Sequence, residues 1–315
     1  MTVAAILRIS TVIAYVAAVG LAIGLIQFGA PTWLAVLLGV ALPLAIHGVP
    51  LAIEFATGAL IDRRPGARLG VLALARVWLR ETWRSFMVFN IDQPWRSAFP
   101  EPTIAHDGRC AVLFIHGYMC NRATWRPWLL HGGLAHRWNC ATVNLEPVYG
   151  TVHGYAERIH AAVERLRAGA GVERVTLVCH SMGGLAARAY LREHGHHDVA
   201  RVVTIDSPHH GTLFARLGRG KNTRQMELAC DYVRQLAASD EPVEFICFAS
   251  QHDNMIVPRD NQILACAEAI WFERIGHLSM TDDDTVLAKL IEVVERPLPE
   301  AHATATRETV VAASS

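Results

Sequence analysis

Val175-Thr176-Leu177-Val178-Cys179-His180-Ser181-Met182-Gly183-Gly184 decides how the rest of the chain is read. Val175, Leu177 and Val178 form a short apolar, β-branched run of the kind that fills a central parallel strand. Gly183 to Arg188 suit a helix that starts close against the sheet. A serine between the two occupies a sharp, strained turn, which needs small neighbours because the following helix packs tightly beside it. The turn lifts Ser181 Oγ clear of the sheet and aims the helix N-terminus, with its free N–H groups, at any oxyanion formed there. The competing reading is an ordinary strand-loop-helix junction with a surface serine.

The wider sequence weighs against coincidence. Val112-Leu113-Phe114-Ile115 is a second apolar strand and runs into His116-Gly117-Tyr118-Met119. Downstream, Phe245-Ile246-Cys247-Phe248-Ala249 leads into Ser250-Gln251-His252-Asp253-Asn254-Met255-Ile256-Val257-Pro258, and Ala269-Ile270-Trp271-Phe272 leads through Ile275-Gly276 to His277. Asp253 and His277 thus lie just past strand ends, where catalytic loops gather in open α/β sheets, and the order serine, acid, histidine suits a nucleophile, its orienting carboxylate and its base. Competitors exist among sixteen histidines. His252 adjoins Asp253, His209 and His210 follow Asp206-Ser207-Pro208, and Asp206 itself ends the strand Arg201 to Ile205.

Four segments carry a family resemblance. Cys179-His180-Ser181-Met182-Gly183 resembles the G-x-S-x-G nucleophile elbow of α/β-hydrolases, with Cys179 where the first glycine is usual. His116-Gly117 stands where that fold builds its oxyanion hole, the run Ser250 to Pro258 resembles the acid loop of lipases, and Ser207 to Thr212 resembles the loop that begins their lid. From about Cys110 to Arg296 the chain resembles the bacterial triacylglycerol lipase and esterase branch of the superfamily. The resemblance implies an α/β-hydrolase fold with a mostly parallel central sheet and a small lid. It also implies ester hydrolysis through an acyl-enzyme on Ser181, with His277 as base, Asp253 as its partner, the backbone N–H groups of Tyr118 and Met182 as oxyanion donors, and no organic cofactor or catalytic metal. Some secreted relatives bind a structural calcium, whose ligands have no match here.

The first third is unlike a secreted lipase. Ile9 to Phe28 and Trp33 to Ile53 are nearly charge-free and each about twenty residues long, enough to cross a bilayer as a helix. Gly29-Ala30-Pro31-Thr32 separates them, which predicts a transmembrane hairpin over residues 1–60. Gly20, Gly24, Gly39 and Gly48 allow close packing, and Pro43 and Pro50 should kink the second span. His47 and Glu54, near its end, are read as interfacial, with a buried functional pair as the competing reading. Arg8 precedes the first span, while Arg63, Arg64, Arg68 and Arg76 follow the second. Positive-inside logic therefore places both ends, and the catalytic domain, in the cytoplasm of a two-pass protein of a bacterial inner membrane. Seven cysteines, an odd number without metal-type pairs, fit reduced thiols.

Residues 61–103 form a connecting segment, with an amphipathic helix predicted from Gly70 to Phe89. It lies along lipid headgroups or packs on the hydrolase. Asn90 to Pro102 reads as an irregular linker. The catalytic domain spans 104–297, with a lid at about 207–242 whose helical piece runs from Met226 to Leu236. A final helix is predicted to begin in the acidic run after Thr281, and residues 298–315 read as a disordered tail. A formal net charge of zero without a basic block argues against nucleic acid as partner. The leading reading is a membrane-anchored serine esterase or lipase whose ester substrate is itself a lipid. Acyl transfer or thioester hydrolysis on the same triad is the alternative enzyme, and a catalytically silent hydrolase-like membrane adaptor the alternative class.

Overall fold

The computed structural model describes residues 1–62, 68–107, 109–237, 243–298 and 308–311. Seven strands form one sheet: β1 (Ala111–Ile115), β2 (Asn139–Val143), β3 (Val175–His180), β4 (Val199–Ile205), β5 (Glu244–Ser250), β6 (Glu268–Phe272) and β7 (Glu308–Val311). Their order is β2-β1-β3-β4-β5-β6-β7, and every neighbouring pair is parallel. Parallel pairing needs crossovers, and helices supply them on both faces. Alternation along the strands divides the core. Leu113, Ile115, Leu177 and Cys179 face the helices Ala156–Ala170 and Met182–His194, whereas Val112, Phe114, Val178 and Val203 face the helix Asp284–Glu295 and three buried tryptophans. Trp125 belongs to this second layer, packed on Phe114 and Trp128.

The chain direction across the sheet reverses at β1 and β3, so the crevice between their carboxyl ends is the switch point at which open α/β sheets collect ligands. His116-Gly117 leaves one strand there and Ser181 the other.

Two departures from the sequence reading concern the C-terminal part. The helix expected from Met226 is confined to Asp231–Ala237, because Met226 ends a turn whose carbonyl accepts from Thr212 N–H. Residues 238–242, the end of the expected lid, lie outside the described residues. In the tail, Glu308–Val311 is not disordered. Its β-branched run Thr309-Val310-Val311 extends the open edge of β6, whose Ile270 and Phe272 give it an apolar partner. Residues 299–307 and 312–315 lie outside the described residues.

The N-terminal third forms α1 (Val3–Gln27), α2 (Thr32–Ile61) and α3 (Val71–Met87). The first two are antiparallel, long and apolar enough to cross a membrane, and their flanks are uncovered at Ile13, Val16, Val19, Leu37 and Val40. Gly39 permits the close crossing, since a Cβ there would lie 2.9 Å from the carbonyl oxygen of Ala18. After α3, the irregular linker expected from Asn90 begins only at Arg96. The chain continues as a π-helical turn, Val88–Asp92, and a last turn, Gln93–Trp95, because Asn90 and Arg84 are buried and bonded there: Asn90 Nδ2 to His47, Arg84 to Asp92 and Asp282. α3 therefore packs on the hydrolase, with Glu81, Thr82, Arg84 and Ser85 buried.

Candidate active site

Ser181 sits between β3 and the helix Met182–His194 with φ 54° and ψ −126°, a conformation costly for any residue with a side chain. Packing around the turn holds it there. Its N–H donates to the Ile205 carbonyl at 2.8 Å. A Cβ on Gly183 would stand 2.5 Å from the Ile115 carbonyl oxygen, and one on Gly184 would stand 2.3 Å from Ser207 Oγ, so only glycine lets the helix approach so closely. Cys179, the irregular first position of the elbow, causes no conflict. Its small side chain is fully buried in the layer beneath the helix with Leu185 and Ala186.

The loop that follows β1, where the sequence places the oxyanion donor, faces this turn. Gly117 is so near that a Cβ on it would lie 2.8 Å from Ser181 Cβ. His116 is buried, its Nε2 accepts from Leu145 N–H at 3.1 Å, and its Nδ1 therefore carries the proton donated to the Gly117 carbonyl at 2.9 Å. Fixing that carbonyl fixes the peptide plane, and with it the opposite direction of Tyr118 N–H. Burial pushes the His116 imidazole down to about 4, so it stays neutral. Met119 holds a left-handed φ of 53°. The Tyr118 hydroxyl donates to the Arg219 carbonyl at 2.8 Å, tying this loop to the segment that follows β4.

His277 and Asp253 meet, with Nδ1 to Oδ2 at 2.8 Å. Both backbone ends of His277 are gripped. Its N–H donates to Asn254 Oδ1 at 3.2 Å, and its carbonyl accepts from His180 Nε2 at 3.1 Å, which places the His277 ring 4.7 Å from that of His180, next to Ser181. Asp253 Oδ1 accepts from Met255 and Ile256 N–H, so the acid is itself locked. Burial disfavours the charged ring of His277, but Asp253, with smaller contributions from Glu81 and Glu54, outweighs it and holds the imidazolium pKa above the ordinary value.

The competitor Asp206 is at the site but in another role. Its Oδ2 is 3.8 Å from His277 Nδ1, beyond hydrogen-bond reach, while its Oδ1 accepts from Ser250 N–H. Two buried carboxylates this close do not both ionise. Burial and the neighbouring Asp253 hold the Asp206 carboxyl well above the usual carboxylate range. His209 bonds to Thr204 Oγ1, His210 faces the Ile263 carbonyl and His252 accepts from Arg274 N–H, so these three are structural. Among the described residues, two groups lie close enough to offer metal ligands: Asp206, Asp253 and His277, already bonded as above, and Glu157, Glu193 and His194 on the surface.

The sequence reading placed Glu54 at the membrane interface and gave Glu81 no role at the site; both come from the N-terminal helices. Glu81, fully buried, accepts from Leu278 N–H at 2.6 Å and from Ser279 N–H and Oγ at 3.0 and 2.6 Å. Glu54 accepts from Asn254 Nδ2 at 2.7 Å, so it is not simply an interfacial residue. Nothing local in the sequence marks either contact, since nearly two hundred residues separate the partners. His47, the other residue read as interfacial, is bonded to Ser85 and Asn90.

Comparison with known proteins agrees with the fold. A family model described as a PGAP1-like alpha/beta domain matches residues 149–269, a span that contains Ser181 and Asp253. The lysosomal thioesterase PPT2 of Mus musculus is 28% identical over 121 residues, covering 36% of this chain and 38% of that protein. The mature lipase BlEst2 of Bacillus licheniformis superimposes with a TM-score of 0.53 at 15% identity, covering 62% of this chain and 94% of that one. Lipase B of Aspergillus fumigatus gives 0.52 at 15% identity, covering 64% and 55%. Residues 149–269 match a PGAP1-like α/β domain, and the whole has an α/β-hydrolase fold of the kind seen in lipases and esterases, preceded by two apolar helices.

Proposed function

We propose that this protein is a membrane-anchored serine hydrolase that cleaves carboxylic esters through an acyl-enzyme on Ser181. The observation that carries the reading is the 2.8 Å bond between His277 Nδ1 and Asp253 Oδ2, with the His277 ring 4.7 Å from that of His180, the residue preceding a serine held at φ 54° in the switch-point crevice. With Nδ1–H given to Asp253, Nε2 of His277 is the basic nitrogen. It takes the Ser181 hydroxyl proton as Oγ attacks the substrate carbonyl, and the N–H groups of Tyr118 and Met182 receive the oxyanion. Collapse of the tetrahedral adduct expels the alcohol, which leaves with the proton from His277. Water, deprotonated by the same nitrogen, then frees the acid and restores Ser181.

Thioester hydrolysis is the second reading, favoured by the similarity to a thioesterase over 121 residues. The same acyl-enzyme serves either leaving group. The length and apolarity of α1 and α2 support anchoring, and the arginines outside the hairpin support a cytoplasmic catalytic domain.

Purified protein in detergent, tested with p-nitrophenyl esters and acyl thioesters of short and long chain, should turn over substrate and label with a fluorophosphonate probe, and Ser181→Ala should do neither. Absence of both in the wild type would sink the enzyme reading and leave a silent adaptor. Faster turnover of thioesters than of matched oxygen esters would select the second reading.

A further inference from the structure

We infer that α2 and α3 are part of the catalytic apparatus, with Glu54 and Glu81 as positioning residues that hold the acid loop and the histidine loop in register. The inference rests on the serine-hydrolase reading. Every described strand of the sheet lies at or after Ala111, so the N-terminal helices contribute none of it, yet both loops that carry His277 and Asp253 are bonded to them.

The histidine loop is held from α3. Glu81 bonds the two residues that follow His277 through three donors, and it has no exposed surface. Gly276, on the other side of His277, is pressed against it, since a Cβ there would lie 2.5 Å from Glu81 Oε2. A carboxylate buried this deeply is costly unless its donors are already placed, so the bonds and the position of the loop determine each other. Burial pushes the Glu81 carboxyl above its usual range, and the three donors pull it back only in part.

The acid loop is held from α2 at two points. Glu54 takes one amide hydrogen of Asn254, whose oxygen in turn receives the His277 N–H, so one side chain links α2 to the catalytic histidine. One turn further on, Gly58 makes room for Arg259, whose guanidinium lies 2.8 Å from where a glycine Cβ would be. Arg259 Nε donates to the Asp253 carbonyl at 2.9 Å, and its NH1 pairs with Asp62, just past the end of α2, at 3.5 Å. Asp253 and His277 are thus fixed relative to each other through helices that contribute no strand to the sheet. Removing these contacts should loosen the 2.8 Å pair without changing how substrate binds.

The test uses the full-length protein in detergent, comparing kcat, KM and the fluorophosphonate labelling rate with the melting temperature. Glu81→Gln turns one acceptor oxygen into a donor facing donors, and kcat and labelling should fall by about tenfold to a hundredfold at nearly constant KM. Glu54→Leu leaves Asn254 with an unpaired amide and should lower kcat by about tenfold. Glu54→Gln keeps an acceptor and should recover most of it. If Glu81→Gln does not fold, Ser279→Ala, which removes one of the three donors, carries the same expectation at about threefold. Wild-type kcat and labelling in Glu54→Leu and in whichever Glu81-side variant folds would overturn the inference. Failure of the hydrolase reading shows separately, as a wild type that neither labels nor turns over.

Discussion

At the residue scale the site contains two buried aspartates beside one histidine, and geometry assigns them different work. Asp253 is within bonding distance of His277 Nδ1 and Asp206 is not. Asp253→Asn should therefore cost about 10⁴-fold in kcat, because the amide favours the wrong tautomer. Asp206 makes no hydrogen bond to His277 and its carboxyl is held well above the usual carboxylate range, so Asp206→Asn should stay within about tenfold of wild type. Steady-state rates on one ester compare the two, and equal losses would contradict the assignment. The pH profile follows from His277. Only the neutral ring accepts the serine proton, and Asp253 holds its pKa above 6.5 against burial. Activity should thus be low in acid and rise through a midpoint above 6.5, and in Asp253→Asn the midpoint of the residual activity should move down. His116 stays neutral at these pH values and should leave the profile unmoved. His116→Ala should nevertheless lower kcat by roughly tenfold or more, since it frees the Gly117 carbonyl and with it the Tyr118 N–H.

At the element scale the strand-serine-helix unit is the most constrained part of the chain. Gly183→Ala would force a methyl group against the Ile115 carbonyl at 2.5 Å, so the helix Met182–His194 must move away from β1 or lose its first turn. A destabilisation of about 1–3 kcal/mol is expected, read as a lower melting temperature, together with slower fluorophosphonate labelling as Ser181 shifts. An unchanged melting temperature would mean that the junction is looser than its geometry. These constraints explain what was legible. A strained serine between a β-branched strand and a glycine-rich helix start is a local requirement written in ten consecutive residues, and β1, β3, β5 and β6 announced themselves the same way. What the sequence concealed depends on long-range contacts. The continuation of α3 to Trp95 depends on Arg84 reaching Asp282, and strand β7 depends on the open edge of β6, whereas a prolines-and-polar count reads both segments as irregular. Glu54 looked like a charge at a membrane border because its partner, Asn254, lies two hundred residues away.

At the scale of the whole molecule, the hairpin and the active site lie on the same side of the sheet. α1 begins against the oxyanion loop, with Val3 and Leu7 packed on Val148 and Met119, and α2 ends against the acid loop at Gly58 and Asp62. Both contacts are at the carboxyl edge, where Ser181, Asp253 and His277 stand. If the hairpin spans a bilayer, that edge faces the headgroups, and an acyl chain can enter the crevice from the membrane without crossing water. The amino edge then points away from the lipid, and it carries an exposed cysteine, Cys110, just before β1. This gives topology a direct readout. In sealed vesicles of known orientation, a membrane-impermeant maleimide should modify Cys110, located by peptide mass spectrometry, only from the cytoplasmic face, because the proposed orientation, drawn from Arg8 near the start of α1 and the arginines after α2, puts both ends on that side. Modification only from the opposite face would reverse the proposed orientation. Modification from both faces at equal rates would mean mixed insertion, and would break the link between charge placement and the position of the active site.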